Sequence, residues 1–125
     1  MKLHLDTHAV VWLYTGELKR IPKNLLSKME QAELSISPPV IFELALLHQI
    51  GKTKDSEDKV ISFLQREIKL KVDNVDCRKL FEKASDLTWT RDPFDRMIVA
   101  CAQVSQVPLV TKDLHIHENF KQALW

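Results

Sequence analysis

The chain has 125 residues, of which 45% are hydrophobic and 28% are charged, a composition typical of one globular domain over residues 1–125. The formal net charge of +1 excludes a strongly basic protein, so any binding of nucleic acid must rest on a local patch or on metal ions. There is no signal peptide, no apolar run of membrane-spanning length and no disulfide spacing, so we expect a cytoplasmic protein without membrane contact.

Strands and helices alternate in the predicted secondary structure. The first strand, Lys2–Leu5, leads directly into Asp6 and an apolar-rich helix that Gly16 ends, because glycine tolerates the left-handed conformation of a helix terminus. Hydrophobic periodicity and the Pro and Gly positions predict the later elements: helices at 22–32, 40–50, 59–67, 76–87 and 92–103, and strands at 34–37, 68–72 and 107–110. Residues 114–125 are predicted to hold one short helix or a final short strand. This alternation predicts an α/β domain with a mainly parallel sheet and right-handed crossovers.

The helix at 40–50 is apolar almost all round, which predicts that it is deeply packed. Glu43 is the exception, and we expect it in the first turn. An unpaired buried charge is costly, so Glu43 needs a partner, a metal ion or a position facing a cleft. The alternative is a Glu on the one solvated edge of the helix.

The helix at 92–103 combines an acidic start with an apolar stripe. Pro93 suits a first helical turn because its missing N–H has no partner there, and Asp95 lies near the positive end of the helix dipole. Taken alone, Asp92 and Asp95 can be explained as residues that only cap and charge the helix.

Four acids from four segments are predicted to meet at one edge of the sheet. Asp6 and Asp113 each follow a strand, while Glu43 and Asp95 each start a helix, and helix starts lie at the carboxyl ends of parallel strands. Four carboxylates on one rim would repel each other without a cation between them. Oxygen-only ligands suit Mg²⁺ or Mn²⁺, ions that activate water and stabilise charge on a phosphodiester.

Other kinds of site have less support. There is no Gly-rich phosphate loop and no Gly-x-Ser-x-Gly elbow. His115 and His117 form a His-x-His pair suited to Zn²⁺, but no further ligand pattern supports it. An aspartyl-phosphate hydrolase or receiver domain also has an Asp after its first strand, but the stretch after Asp6 lacks the second acid that hydrolases place two residues on.

Four segments resemble the PIN-domain nucleases, and most of all the VapC-type toxins of bacterial toxin–antitoxin pairs. They are Leu-Asp-Thr-His-Ala-Val-Val-Trp-Leu at 5–13, Ile-Phe-Glu at 41–43, Arg-Asp-Pro-Phe-Asp-Arg-Met-Ile-Val-Ala at 91–100 and Pro-Leu-Val-Thr-Lys-Asp at 108–113. The likeness covers nearly the whole chain, but the tail after Asp113 matches weakly. It departs at Thr90, where many relatives have His.

The resemblance implies a PIN-like three-layer fold with a five-stranded parallel sheet, and a ribonuclease that uses Mg²⁺ or Mn²⁺. It also implies a homodimer that an antitoxin protein inhibits. By residue, it implies a catalytic and metal-binding set with auxiliary positions: Asp6, Glu43, Asp95 and Asp113, then Thr7, Asp92, Arg96 and Thr111.

Two functions from different classes follow. In the first, the protein is an endoribonuclease toxin, and Arg91, Arg96 and Lys112 meet the RNA backbone. In the second, it is a non-catalytic module that binds RNA or a partner protein on the same fold. Intact acids favour the nuclease, since binding alone would favour basic residues there. Large apolar residues in the first 50 positions, among them Val11 and Trp12 and also Leu46 and Leu47, independently predict a homodimer.

Overall fold

Five short parallel strands form one sheet in the computed structural model, which describes residues 1–125. They are β1 (Lys2–Leu5), β2 (Glu33–Ile36), β3 (Lys71–Val72), β4 (Leu109–Val110) and β5 (Ala123–Leu124). Their spatial order is β3-β2-β1-β4-β5, and each neighbouring pair is parallel. The predicted α/β fold with a parallel five-stranded sheet is confirmed. The strand order reverses beside β1, so a crevice is expected where β1 and β4 end.

Seven α-helices and one 3-10 turn flank the sheet. The helices are α1 (Thr7–Thr15), α2 (Lys23–Glu30), α3 (Pro38–Gln49), α4 (Glu57–Ile68), α5 (Cys77–Asp86), α6 (Pro93–Ser105) and α7 (Leu114–Asn119), and the 3-10 turn is Leu18–Arg20. Gly16 ends α1 with φ of 77°, as predicted from its tolerance of the left-handed conformation. None of the helices is long and apolar enough to cross a membrane.

Helix α3 differs from its prediction at both its start and its packing. It begins at Pro38, two residues early, because Pro-Pro in the first turn lacks only N–H groups that have no helical partner. Glu43 therefore lies in the second turn. The helix is not deeply packed, and only one side of it contacts the core. Phe42 is 58% exposed, and Ile50, directly after the helix, is 63% exposed.

Two further predictions are wrong in detail. The strand predicted at 68–72 covers only Lys71–Val72, because Ile68 still belongs to α4 and Lys69 ends that helix in the left-handed conformation, with φ of 58°. The tail was expected to hold a helix or a strand, but it holds both. Helix α7 is short enough to leave room for β5, which pairs with β4 at the edge of the sheet.

A buried polar contact fastens β1 to the segment after β3. His4 is 1% exposed, and its Nε2–H donates to Asp73 at 2.7 Å, while the ammonium of Lys2 pairs with the other oxygen of Asp73. Burial of the ring holds the pKa of His4 below its ordinary value despite this bond. Burial raises the pKa of Asp73, but the hydrogen bonds from Lys2 and His4 outweigh it and the pKa is lowered.

Replacement of Asp73 by Ala should lower the free energy of unfolding by about 1–3 kcal/mol, because His4 is left in the core without its partner. The lowered pKa of Asp73 means that its contribution is present above pH 3.8 and lost as the carboxyl protonates below it. Urea unfolding at neutral and acid pH measures both effects. The matched control is Asp86→Ala, an exposed carboxylate, and equal stability of the two variants at neutral pH would contradict the assignment.

Candidate active site

Asp6 is buried where β1 ends, and two hydrogen bonds fix its carboxylate. It is 7% exposed and forms the N-cap of α1, with Oδ1 accepting from the backbone N–H of Thr7 at 2.7 Å. Its Oδ2 accepts from the hydroxyl of Thr111, the residue after β4, at 2.6 Å. Burial raises the pKa of Asp6 against these two bonds. One carboxylate thus joins the carboxyl ends of the neighbouring strands β1 and β4.

Glu43 reaches the same place from α3. The hydroxyl of Thr7 donates to its Oε1 at 2.5 Å, which ties α3 to the start of α1. Burial raises the pKa of Glu43, the bond from Thr7 lowers it, and the charges of Asp6 and Asp92 raise it further. Glu43 is half-buried, has a hydrogen-bond partner and lines a cleft, as expected of a Glu in so apolar a helix, rather than lying on a solvated edge.

Asp92 and Asp113 are the N-caps of α6 and α7. Asp92 Oδ1 accepts from the N–H groups of Phe94 and Asp95, and Asp113 Oδ1 accepts from the first turn of its own helix. The hydroxyl of Thr111 accepts from the N–H of Asp113 at 3.1 Å. Capping leaves part of each carboxylate free, so the capping role does not exclude a second one.

Asp95 is the electrostatic centre of the site. Burial raises its pKa from 3.8 to about 7, with further contributions from the charges of Asp92, Asp113, Asp6 and Glu43. No hydrogen bond opposes the shift. Since each of the other four acids acts on Asp95, all five lie within electrostatic reach of one point.

These acids line one cleft of about 520 Å³. The lining residues are Asp6, His8, Trp12, Glu43, Asp92, Asp95, Lys112, Asp113 and Leu114. The fold therefore brings together the four acids predicted from strand and helix ends, and it places Asp92 and Lys112 in the same cleft. Another concave surface, between α1, α2 and α4, is lined by nine hydrophobic residues out of 11 and has no such acid cluster.

Sequence reasoning did not assign His8, Trp12 or Leu114 to the site. His8 and Trp12 are four residues apart on α1, so they share the helix face that begins at Asp6, and this spacing is a signal that could have found them. Leu114 gives no such signal.

The arginines predicted to meet RNA lie outside the cleft lining. Arg96 is partly buried and its Nε–H donates to the carbonyl oxygen of Thr90 at 2.7 Å, so it fastens the segment before α6. Arg91 is exposed. The His-x-His pair is also divided between separate contacts: His117 Nε2 bonds to the carbonyl of Thr111, while the ring of His115 packs against Trp89.

The donor set of the cleft fits a hard divalent cation. All its acidic donors are carboxylate oxygens, the ligands that Mg²⁺ and Mn²⁺ prefer. No three His, Cys, Asp or Glu side chains converge closely enough to hold an ion in this arrangement. Hydrogen bonds from the hydroxyls of Thr111 and Thr7 fix the carboxylates of Asp6 and Glu43 in this arrangement. Burial first, and then the charges of the neighbouring acids, raise the pKa of Asp95, and a cation would offset those charges.

Asp95→Asn should raise the free energy of unfolding of the metal-free protein above pH 7. Folding raises the pKa of Asp95 from 3.8 to about 7, so the native state binds more protons in that interval and the wild type loses stability as the pH rises through it. The gain should vanish below pH 3.8. Urea unfolding in EDTA tests this, with Asp86→Asn as the exposed control; no gain for Asp95→Asn above pH 7 would refute the charge crowding.

Solved structures share this fold at low sequence identity. The match to VapBC2 from Rickettsia felis bound to a DNA fragment from its promoter has a TM-score of 0.70 at 18% identity, covering 94% of this chain and 92% of that chain. VapBC-1 from nontypeable Haemophilus influenzae gives 0.67 at 16%, covering 100% and 96%. A toxin–antitoxin complex from Klebsiella pneumoniae gives 0.64 at 15%, covering 98% and 96%.

A comparison with curated proteins gives no match. The sequence profile of the PIN domain matches residues 3–121, which includes every acid of the cleft. The match covers β1 from its second residue and all of β2, β3 and β4, but not β5. This chain belongs to the PIN domain family.

Proposed function

We propose that this protein is a metal-dependent endoribonuclease and the toxin of a toxin–antitoxin pair. The observation that carries the proposal is the crowding of five carboxylates in one cleft, where the pKa of Asp95 rises to about 7. Repulsion between crowded carboxylates destabilises the folded protein. A bound cation would offset this repulsion, which accounts for the presence of five acids in one cleft. Membership of the PIN domain family supports the same reaction class.

Asp6, Glu43 and Asp95 would hold the principal ion, Mg²⁺ or Mn²⁺, and Asp113 would orient water or help to hold a second ion. A bound divalent cation supplies activation of water and stabilisation of negative charge on the phosphate. Thr111 and Thr7 set the first two carboxylates through their hydroxyl hydrogen bonds.

The acids argue against a module that only binds RNA. Phosphates carry negative charge, so five carboxylates without a cation would repel the ligand that such a module needs. Lys112 is the one basic residue among the cleft lining, and it supports contact with the RNA backbone beside the acids.

Wild-type protein with Mg²⁺ should cleave a mixed-sequence single-stranded RNA, and EDTA should abolish the cleavage. Asp95→Asn keeps the side-chain shape and removes the charge, so activity should fall by about a hundredfold or more. In a separate measurement, Mg²⁺ should raise the melting temperature of the wild type, and Asp6→Asn should reduce that rise.

Asp86→Asn, on exposed α5, is the matched control and should cleave RNA as the wild type does. Cleavage that survives both EDTA and Asp95→Asn would refute the metal-dependent mechanism. RNA binding without cleavage by any preparation would favour the non-catalytic alternative.

An antitoxin is the proposed protein partner, since the structural neighbours are chains of toxin–antitoxin complexes. We infer that it blocks the cleft with a basic side chain, because the acids offer Arg a bidentate partner. Self-association stays a prediction. Val11 and Trp12 pack in part against the core, and the most exposed apolar residues here are Phe42 on α3 and Ile50 directly after it.

Affinity for the antitoxin encoded beside this chain should fall at high salt and in Glu43→Gln and Asp95→Asn, because each removes a charge from the cleft. Calorimetry measures the affinities, with Asp86→Asn as the control outside the cleft. Unchanged affinity in both cleft variants would mean that inhibition uses another surface.

A further inference from the structure

An aromatic ring in the lining of the acidic cleft has two cations over it. Trp12 on α1 lines the cleft, with the guanidinium of Arg20 at 5.5 Å and the ammonium of Lys112 at 5.6 Å from its ring centroid. The rings of His8 and Trp125 lie 5.9 and 5.6 Å from it. We call Trp12, Arg20 and Lys112 the Trp12 cluster. Its members come from three separate segments, so the fold assembles it.

The two cations of the cluster contribute little to holding the fold. Lys112 is exposed and forms no ion pair, although it lies between two residues of the acid site. Arg20 pairs only with Glu17, and both side chains are about half exposed. Surface pairs of this kind contribute about 0–1 kcal/mol. Neither charge is therefore held in a buried pair; Lys112 lines the cleft, and Arg20, which does not line it, lies over the same ring.

Beside Trp12, the charges favour RNA over a basic protein segment as the ligand. Such a segment can pair with the acids elsewhere in the cleft, but Arg20 and Lys112 would repel it here. A nucleotide has both complements of the cluster, a phosphate for the cations and a base for the ring face. Leu114, whose side chain is 76% exposed, adds apolar surface in the same cleft.

We propose that the Trp12 cluster is the subsite for a nucleotide that flanks the scissile phosphate of single-stranded RNA. The base stacks on Trp12 in place of the two cations that lie over its ring, and Lys112 and Arg20 turn to the flanking phosphate. Bases in a duplex are already stacked on their neighbours, so this subsite selects unpaired strands. The proposal rests on the proposed nuclease function and assigns part of its substrate specificity.

The test measures RNA binding in the Asp95→Asn background with Mg²⁺, so that cleavage does not intervene. The probes are a short fluorescent oligouridylate and an abasic ribose–phosphate chain of the same length. The background protein should prefer the oligouridylate by about five- to a hundredfold, the range expected for stacking one base on an aromatic ring. Adding Trp12→Leu should remove most of that preference.

Lys112→Ala should instead weaken both probes equally and lower the slope of log affinity against log salt by about 0.7. Lys83→Ala, an exposed lysine on α5, is the charge-matched control and should change neither quantity. Thermal unfolding checks that each variant is folded. If Trp12→Leu is unfolded, Lys112→Ala still decides, because its side chain is exposed and unpaired.

Equal loss of both probes in Trp12→Leu, or no loss in either variant, would overturn the subsite. So would unchanged RNA binding with altered self-association by light scattering, against 14.5 kDa for one chain, which would assign Trp12 to a contact between copies. The nuclease proposal fails separately. Wild-type protein that never cleaves while the base preference persists would refute catalysis alone, and normal cleavage without a base preference would refute the subsite alone.

Discussion

The hydrogen bond between Thr111 and Asp6 joins the carboxyl ends of β1 and β4, which are neighbours in the sheet, and the geometry of the site depends on it. Both residues are buried, and the Oδ2 of the carboxylate lies 2.6 Å from the hydroxyl oxygen. Backbone pairing continues up to this point, since the N–H of Asp6 donates to Val110 and that of Thr111 donates to Leu124. The sheet therefore fixes the position of this carboxylate. The residues that directly follow β1 and β4 are held in place by the same hydrogen bonds.

The site combines this rigid frame with electrostatic strain. Removing a carboxylate from water is costly, and hydrogen bonds from hydroxyl and N–H groups offset the cost for Asp6 and Glu43. Asp95 has no such compensation, and its pKa is correspondingly raised to about 7. Strain of this kind is common where ligands bind, because the ligand supplies the missing interaction. Within the cleft, the uncompensated cost of burying a charged carboxylate therefore falls on Asp95.

The sequence predicts the frame of this site better than its rim. Asp6, Asp95 and Asp113 follow from local signals, since each lies where a strand ends or a helix begins, and the parallel sheet brings such positions together. Glu43 was expected one turn too early, because the start of α3 depends on whether a Pro-Pro pair precedes or opens the helix. The packing of α3 was also misjudged. An apolar helix does not reveal which side faces a neighbour, and Phe42 is exposed although the composition suggests burial.

The sequence patterns that predict strands and helices do not predict the contacts of single side chains. Contact of Arg96 with RNA stays a prediction, but its Nε–H also donates to a carbonyl oxygen six residues earlier in the chain, and no periodic pattern indicates such a local bond. Trp12 and Arg20 meet only because the 3-10 turn after α1 folds back, and turn geometry of this kind is not encoded in hydrophobic periodicity. Tertiary packing decides these contacts.

The bond between Asp6 and Thr111 spans 105 residues of a 125-residue chain. Contacts of such long range form late, because the ends of the loop must first be brought together. During synthesis, a chain of this kind leaves the ribosome with its first acid exposed but without β4 to fix it. The cleft is completed only when β4 and Asp113 have emerged. Copies that stop before β4 therefore have no assembled acid site and no activity that depends on it.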